Sequence, residues 1–311
     1  MKKFNIERMP RTFRKGSGLF VICMLIIPVA WFIVFYVAVN FNSIIMGFKQ
    51  VKGVDVDGKK VFVFGLDNFR QLFFEIDNPK STIRISMINT LKYFCLNFFI
   101  VIPLTYFISY FLYKKISGYK FFRVLFYMPS IISGVTMVII FKNIVGTGGP
   151  VDELSKLLFG EELPALLTNP EHATNVIMIY CVWTGFGVNI ILYQAAFQRV
   201  PHEVIEAAKI DGVPWYKELI FVITPMTWST LSTTLIIASA TLFTAGGPIL
   251  LFGTGGAYDT STISYYIFSQ VYDSGVFNYP AAVGIFFTIY SLPIILGFRY
   301  VMNKLDPKVE Y

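Results

Sequence analysis

The sequence has little charge and very few histidines or cysteines, and each shortage excludes a class of protein. Only 14% of the 311 residues are charged, whereas a soluble domain carries about 25%. Cys23, Cys95 and Cys181 lie in apolar stretches and lack the spacing of a disulfide framework or a zinc site. No Gly-x4-Gly-Lys-Ser/Thr loop is present to bind a nucleotide phosphate. A soluble domain, a zinc protein and a nucleotide-binding protein are all disfavoured.

The groups that an enzyme or an ion-coupled transporter would use are also missing. His172 and His202 are the only histidines, both in predicted loops, and no paired titratable residues suggest acid–base catalysis. We therefore expect that the chain is not an enzyme. No predicted membrane span contains Asp or Glu, which argues against proton- or sodium-coupled transport. The net charge of +7 is scattered in short clusters, so no nucleic-acid partner is expected.

Apolar residues are abundant and grouped in long runs. They make up 55% of the chain, and about 20 in a row suffice for a helix to cross a bilayer. The predicted fold is therefore an all-α integral membrane protein with six transmembrane helices. The first run is longer than the core of a signal peptide, so we expect it to remain as a span. The predicted spans are about 19–41, 86–113, 124–143, 174–198, 225–245 and 281–302.

The basic residues predict how the chain is oriented, because short cytoplasmic segments are enriched in Lys and Arg. The tail 1–18 holds six of them and 114–123 holds four, whereas 246–280 has none. Both termini, including the tail 303–311, are therefore expected in the cytoplasm, with one domain at 19–302 in the cytoplasmic membrane. Residues 46–85 mix both charge signs, and the fold of this outer loop is left open apart from a short strand at Val61–Phe64.

One predicted cytoplasmic connection, residues 199–224, has the pattern of a short helix. Pro201 suits a first helical position, Gly212 suits a left-handed helix end, and Pro214 can begin a second helix. The expected helix covers about 201–211, and Ala207 and Ala208 give it a small-residue side. Chemistry alone leaves two interpretations open: a connector lying on the membrane surface, or a helix that docks on a partner.

The same residues resemble a known family. Glu206-Ala207-Ala208, Asp211-Gly212, Ile223 and Pro225 are similar to the EAA loop of permeases from binding-protein-dependent ABC sugar importers, of the maltose, lactose and glycerol-phosphate type. One residue rather than two separates Ile223 from Pro225, which is a departure. The larger of the two permease types is favoured. Further matching segments are Gly65–Phe69, Asn89-Thr90, Phe122-Arg123, Met128-Pro129, Trp183 and Thr254–Ala257, where Ala257 replaces the usual proline.

The resemblance implies a type I ABC importer permease fold with a cytoplasmic coupling helix. It implies a heterodimer with a second permease subunit, two ATPase subunits that use ATP and Mg²⁺, and an extracytoplasmic sugar-binding protein. This chain would hold no cofactor itself and would form half of the pathway of a carbohydrate importer, for an oligosaccharide in particular. The residues that the resemblance places at the ATPase contact are Glu206, Ala207, Ala208, Asp211 and Gly212.

A neutral sugar requires hydrogen-bonding groups and aromatic faces within the spans. The candidates are Asn97, Trp183, Asn189, Tyr193 and Gln194, although packing between helices through Asn or Gln explains such residues as well. Two alternatives stay open: an ABC permease for glycerol phosphate or a polyol, and a secondary transporter outside the ABC class. A phosphate substrate would call for deep basic residues, and only Lys92 and Lys142 come close. The identity of the sugar is left open.

Overall fold

The computed structural model describes residues 11–54, 60–160, 164–254 and 256–307. The remaining parts of the predicted tails, and Gly255, lie outside the described residues. Most of the described chain is helical. The α-helices are Arg11–Phe32, Val39–Phe48, Asp67–Asp77, Thr82–Cys95, Ile102–Tyr113, Tyr119–Ile131, Gly134–Val145, Pro150–Phe159, Ala173–Thr184, Gly187–Phe197, His202–Ile210, Trp215–Lys217, Thr224–Met226, Trp228–Ala240, Ile249–Phe252, Ile263–Tyr272 and Asn278–Lys304.

The helices confirm an all-α membrane protein. Five helical runs are long and apolar enough to cross a bilayer, and one bent pair brings the number to six. We number them spans 1 to 6 in chain order. The spans are Phe20–Phe48, Thr82–Tyr113, Gly134–Phe159, Ala173–Phe197, the bent pair Trp215–Met226 with Trp228–Ala240, and Asn278–Lys304.

The third predicted span was wrong as a single helix over 124–143. The apolar run forms two helices, Tyr119–Ile131 and Gly134–Val145, because the backbone at Ile132 and Ser133 is extended, with ψ of 144° and 134°. Pro129 cannot donate to the helix before the break, and Ser133 is a residue type that favours the start of the next helix. Hydropathy alone does not reveal this break, because the residues on both sides of it are apolar.

The fifth predicted span, 225–245, was also wrong in its bounds and shape. The helical run begins at Trp215, bends by 81° near Thr227 and ends at Ala240. A π-helical segment, Glu218–Ile223, ends two residues before Pro225. Another, Leu96–Val101, ends two residues before Pro103 in span 2. Proline lacks an N–H and crowds the preceding turn, so we attribute the locally widened helix to these prolines.

The predicted strand in the 46–85 loop is confirmed. Lys49–Val54 and Lys60–Phe64 form an antiparallel pair in which Lys49 lies opposite Phe64. The side-chain amide of Asn68 donates to the carbonyl oxygens of Gly47 and Lys49, at 2.9 and 3.0 Å. The Gly65–Phe69 segment therefore fastens the hairpin to the end of span 1.

The buried core is divided into clusters along the spans. One cluster joins spans 2, 4 and 5 to the 199–224 loop, and a second joins spans 2, 3 and 4 to the 249–252 helix. The first contains Ile102, Tyr106, Tyr110, Tyr193, Phe197, Val200, Ile205, Leu219, Ile223 and Ala238. The second contains Tyr93, Met137, Val138, Phe141, Val176, Ile177, Tyr180, Ile249 and Phe252.

Candidate coupling and transport sites

The 199–224 segment, which we call the EAA loop, folds as a helix with a defined end. The helix covers His202–Ile210, and Pro201 lies at its N-cap, one position earlier than the sequence predicts. Gly212 has φ of +65°. Its N–H bonds to the Lys209 carbonyl at 3.2 Å, and the Val213 N–H bonds to the Ala208 carbonyl at 3.0 Å. This pair of bonds is a Schellman end, which requires the left-handed residue that glycine supplies.

The two faces of this helix meet different surroundings. Ile205 and Ala208 are buried against the rest of the chain, and Ile205 belongs to the first core cluster. Ala207 faces outward, so the two alanines of the predicted small-residue side point in different directions. Ile210 is 85% exposed although it is apolar. The outward face thus offers a small residue and a large aliphatic residue to a partner.

Of the five residues expected at the ATPase contact, four are exposed and Ala208 is not. Glu206 is paired with His202 of the preceding turn, with 3.2 Å between a carboxylate oxygen and Nδ1. Asp211 is the exposed C-cap residue and Gly212 follows it. The structure therefore brings Glu206, Ala207, Asp211 and Gly212 to the surface of one loop.

The C-terminal part of the EAA loop, where span 5 begins, is held against span 2 by contacts that the sequence does not single out. Lys114 Nζ lies 2.7 and 2.9 Å from the two carboxylate oxygens of Glu218. Trp215 contacts the rings of Phe107 and Phe111, with centroid distances of 5.8 and 5.4 Å. A carboxylate just before an apolar span was the available signal, but its partner is 104 residues away.

The candidate pathway residues do not form one site. Tyr193 is fully buried in the first core cluster, where its ring meets Tyr106 edge-on at 5.1 Å. Trp183 packs against the second cluster, near Phe141 and Tyr180. Tyr193 and Trp183 therefore contribute to different parts of the core.

The polar candidates differ in their surroundings. Asn97, in the π-helical segment of span 2, and Asn189, in span 4, are both half-buried. Neither side chain forms a hydrogen bond with any described residue. Gln194 is only 7% exposed, and its Nε2 has no partner among the described residues. The free amides of Asn97 and Asn189 make them the better remaining candidates for contact with a polar substrate.

A hydrogen-bond network joins Asn89-Thr90, at the start of span 2, to the loop that follows the Thr254–Ala257 motif. Asn89 Nδ2 donates to the carbonyl oxygens of Asp259 and Ser261, at 2.6 and 2.9 Å. The Thr90 hydroxyl accepts from the Ile263 N–H at 3.0 Å. Tyr258 and Asp259 both have positive φ, 56° and 55°, in the loop after Thr254. Asn89 thus secures a turn that non-glycine residues adopt at a steric cost.

A wide cleft lies between the EAA loop and the connection from span 2 to span 3. Its volume is about 670 Å³. We call it the basic cleft, because four of its lining residues are Lys or Arg and one is an acid. The lining residues are Leu112, Tyr113, Lys114, Lys115, Arg123, Gln194, Gln198, His202, Ile205, Glu206 and Lys209.

Permease proteins of two known transport systems are similar in sequence to this chain. The multiple sugar-binding transport system permease protein MsmF of Streptococcus mutans is 30% identical over 199 residues, which is 63% of this chain and 66% of MsmF. The lactose transport system permease protein LacF of Rhizobium radiobacter is 32% identical over 189 residues, 57% of this chain and 60% of LacF. The chain therefore spans slightly less than two thirds of the length of these relatives.

A solved structure has the same fold. The crystal structure of a bacterial ABC transporter involved in the import of the acidic polysaccharide alginate contains a chain that superposes with a TM-score of 0.80. The match covers 95% of this chain and 99% of the other, at 20% identity. The profile of the family described as binding-protein-dependent transport system inner membrane component matches residues 102–311. This chain belongs to that family of inner membrane transport components.

Proposed function

We propose that the chain is the membrane-spanning permease subunit of an ATP-driven carbohydrate importer, and that its EAA loop contacts a separate ATPase. The observation that carries the proposal is the two-sided helix His202–Ile210. Its inner face is anchored in the core through Ile205, and its outer face exposes Ala207 and Ile210. A helix that is packed into the core on one face, and exposes apolar residues among charged ones on the other, can receive a displacement from a docked protein. ATP and Mg²⁺ would be used by that protein.

A carbohydrate substrate is supported by the names of the relatives and by the polar groups of the spans. MsmF and LacF are named for sugar transport. The two basic residues that a phosphate substrate could use are placed elsewhere: Lys142 donates to the carbonyl of Phe252, and Lys92 lines a small pocket beside Glu171. These placements favour a neutral sugar over glycerol phosphate. A polyol would use the same uncharged amides.

A second permease subunit is supported by the exposure of span 1. Its described residues from Phe20 to Ile44 are all exposed, and it meets the rest of the chain only near its end, where Gly47 packs against Ala282 and Ile285. A span that is unsupported by its own chain offers a long surface to another subunit. The proposed assembly has two permeases and, as the resemblance to importer permeases implies, two ATPase subunits and an external binding protein.

The proposed orientation has both termini and the EAA loop in the cytoplasm. The bases at 114–123 and the lack of bases at 246–280 support it. Reporter fusions after Lys115 and after Arg199 should give a cytoplasmic signal, and a fusion after Gly160, past the end of span 3, an external one. An external signal at Arg199 would reverse the orientation and remove the EAA loop from any ATPase.

The decisive experiment measures ATPase attachment and sugar uptake together. The tagged chain is purified in mild detergent, and bound ATP-hydrolysing activity and uptake by intact cells are recorded for Ile210→Asp. We expect both to fall strongly while the quantity of chain in the membrane stays the same. Tyr272→Asp is the matched control, because Tyr272 is 77% exposed and lies far from the EAA loop in sequence. Normal attachment of the ATPase to Ile210→Asp would contradict the proposal.

A further inference from the structure

The basic cleft has the charge of a site for an anionic group. Lys115, Arg123 and Lys209 form no ion pair with any described residue, whereas Lys114 is committed to Glu218. The single acid of the lining, Glu206, is paired with His202. Three cations thus surround a cleft whose volume lies within the ordinary range for binding sites.

Two buried donors in the cleft walls lack partners. Gln194 is 7% exposed and its Nε2 forms no hydrogen bond with any described residue, and the same holds for the buried Nε of Arg123. The carbonyl oxygen of Gln194 is occupied, because the Tyr127 hydroxyl donates to it at 3.4 Å. Buried polar groups are nearly always hydrogen-bonded in folded proteins. Both side chains line the cleft, so a change of rotamer would bring either donor to an anionic acceptor inside it.

The backbone conformation of Lys115 also indicates that the basic cleft binds an anionic group. Lys115 has φ of +52° and closes the helix Ile102–Tyr113 in a Schellman turn, with Lys115 N–H to Leu112 at 3.3 Å and Ile116 N–H to Phe111 at 3.4 Å. Glycine adopts this conformation without a steric cost. A lysine at this position strains the turn and places a cation at the cleft, which suits a side chain required for binding.

We infer that the basic cleft receives an acidic segment of the ATPase subunit, next to the docked EAA helix. The cleft and the exposed face of that helix share Glu206, so a protein bound to one is beside the other. Carboxylates accept charge-assisted hydrogen bonds from Lys, Arg and amide donors at once. The ATPase contact then includes the connection between spans 2 and 3, in addition to the EAA loop. This inference rests on the proposed function.

The test titrates purified ATPase onto immobilised permease in nanodiscs of neutral phosphatidylcholine. Lys115→Gly, Arg123→Gln and Lys209→Gln should each raise the Kd by about five- to tenfold, as loss of one charge-assisted bond does. Lys115→Gly also relieves the strained turn, so its weaker binding cannot arise from misfolding. Lys120→Gln is the matched control, because Lys120 is exposed on the same connection and does not line the cleft.

Salt and lipid distinguish the possible ligands. Raising NaCl from about 50 to about 500 mM should weaken wild-type binding more than binding by the triple variant, which carries Lys115→Gly, Arg123→Gln and Lys209→Gln, because salt screens exposed charge pairs. Equal Kd values for wild type and triple variant overturn the inference. A difference that appears only when phosphatidylglycerol is added also overturns it, since the anion is then a lipid headgroup. If Ile210→Asp binds ATPase as wild type does, the proposed function itself fails.

Discussion

Lys114 and Glu218 form an ion pair that joins the end of span 2 to the C-terminal part of the EAA loop. The Glu218 side chain is 5% exposed and that of Lys114 30% exposed, and Nζ lies within 2.9 Å of both carboxylate oxygens. Three residues before Glu218, Trp215 contacts two aromatic rings of span 2. A displacement of the EAA loop would therefore reach span 2 as well as span 5.

Glu218→Gln should destabilise the protein, because it leaves Lys114 with a neutral partner in a largely buried site. Breaking a buried pair from one side costs about 3–5 kcal/mol, and the partial exposure of Lys114 favours the lower end. We expect a lower Tm for the purified permease. The double variant Lys114→Met/Glu218→Leu should recover much of the loss, because no charge remains buried. A double variant that loses as much stability as Glu218→Gln would mean that the unpaired charge of Lys114 is not the cause of the loss.

Gly212→Val should leave membrane insertion intact and weaken ATPase attachment. The left-handed φ at this position costs a β-branched residue about 1–2 kcal/mol. No atom lies within 4 Å of an added Cβ, so the effect comes from the backbone alone. The strain redirects the end of the helix and with it the exposed Ile210.

Gly212→Asn is the matched control, since asparagine tolerates this backbone region better than other side chains. It should attach ATPase nearly as well as wild type. Attachment and uptake are measured for both variants in membranes that contain equal quantities of the chain. If valine and asparagine have the same effect, the helix end does not set the position of the contact.

Asn89→Ala should loosen the loop that follows Thr254. It removes both hydrogen bonds from the amide, so the Ser261 carbonyl oxygen loses its donor, whereas that of Asp259 keeps the Thr174 hydroxyl at 3.2 Å. Leaving a buried acceptor unpaired costs about 1–3 kcal/mol. The positive φ values at Tyr258 and Asp259 are then no longer held. Limited proteolysis should cut residues 256–262 faster in this variant. Asn175→Ala, at an exposed site near the same pocket, should be cut at the wild-type rate.

Local chemistry predicts the EAA helix well and long-range contacts poorly. Pro201, Gly212 and Pro214 each constrain their own backbone, so the helix bounds and its left-handed end could be read from sequence. The Val61–Phe64 strand follows from its residue types in the same way. The bonds from Asn89 to Asp259 span 170 residues, and no local pattern encodes them.

The wrong predictions, for the third span and for the small-residue side of the EAA helix, also have physical causes. The break at Ile132 lies within a run that is apolar on both sides, so hydropathy does not locate it. Ala207 and Ala208 are adjacent, and neighbouring helical residues point about 100° apart. The sequence indicated two small residues but not which one faces the core. Burial of Ala208 is decided by contacts with the spans, which the loop sequence does not contain.

Substitutions at Asn189 and Tyr193 should distinguish a role in substrate contact from a role in core packing. Tyr193 is fully buried, so Tyr193→Ala should cost about 3–5 kcal/mol and lower the quantity of folded chain, whereas Tyr193→Phe keeps the ring and should transport normally. Asn189 is half-buried and has no hydrogen-bond partner among the described residues. Asn189→Ala should therefore change stability by less than about 1 kcal/mol and reduce uptake.

Uptake is normalised to the quantity of chain in the membrane, and Tm is measured on the same variants. Asn97→Ala is expected to behave as Asn189→Ala does, because its amide is also free of partners among the described residues. Loss of transport in a stable Tyr193→Phe protein, together with normal transport by both alanine variants, would place the pathway at the tyrosine hydroxyl. Because the hydroxyl of Tyr193 is buried in this conformation, that result would require spans 2 and 4 to separate during transport.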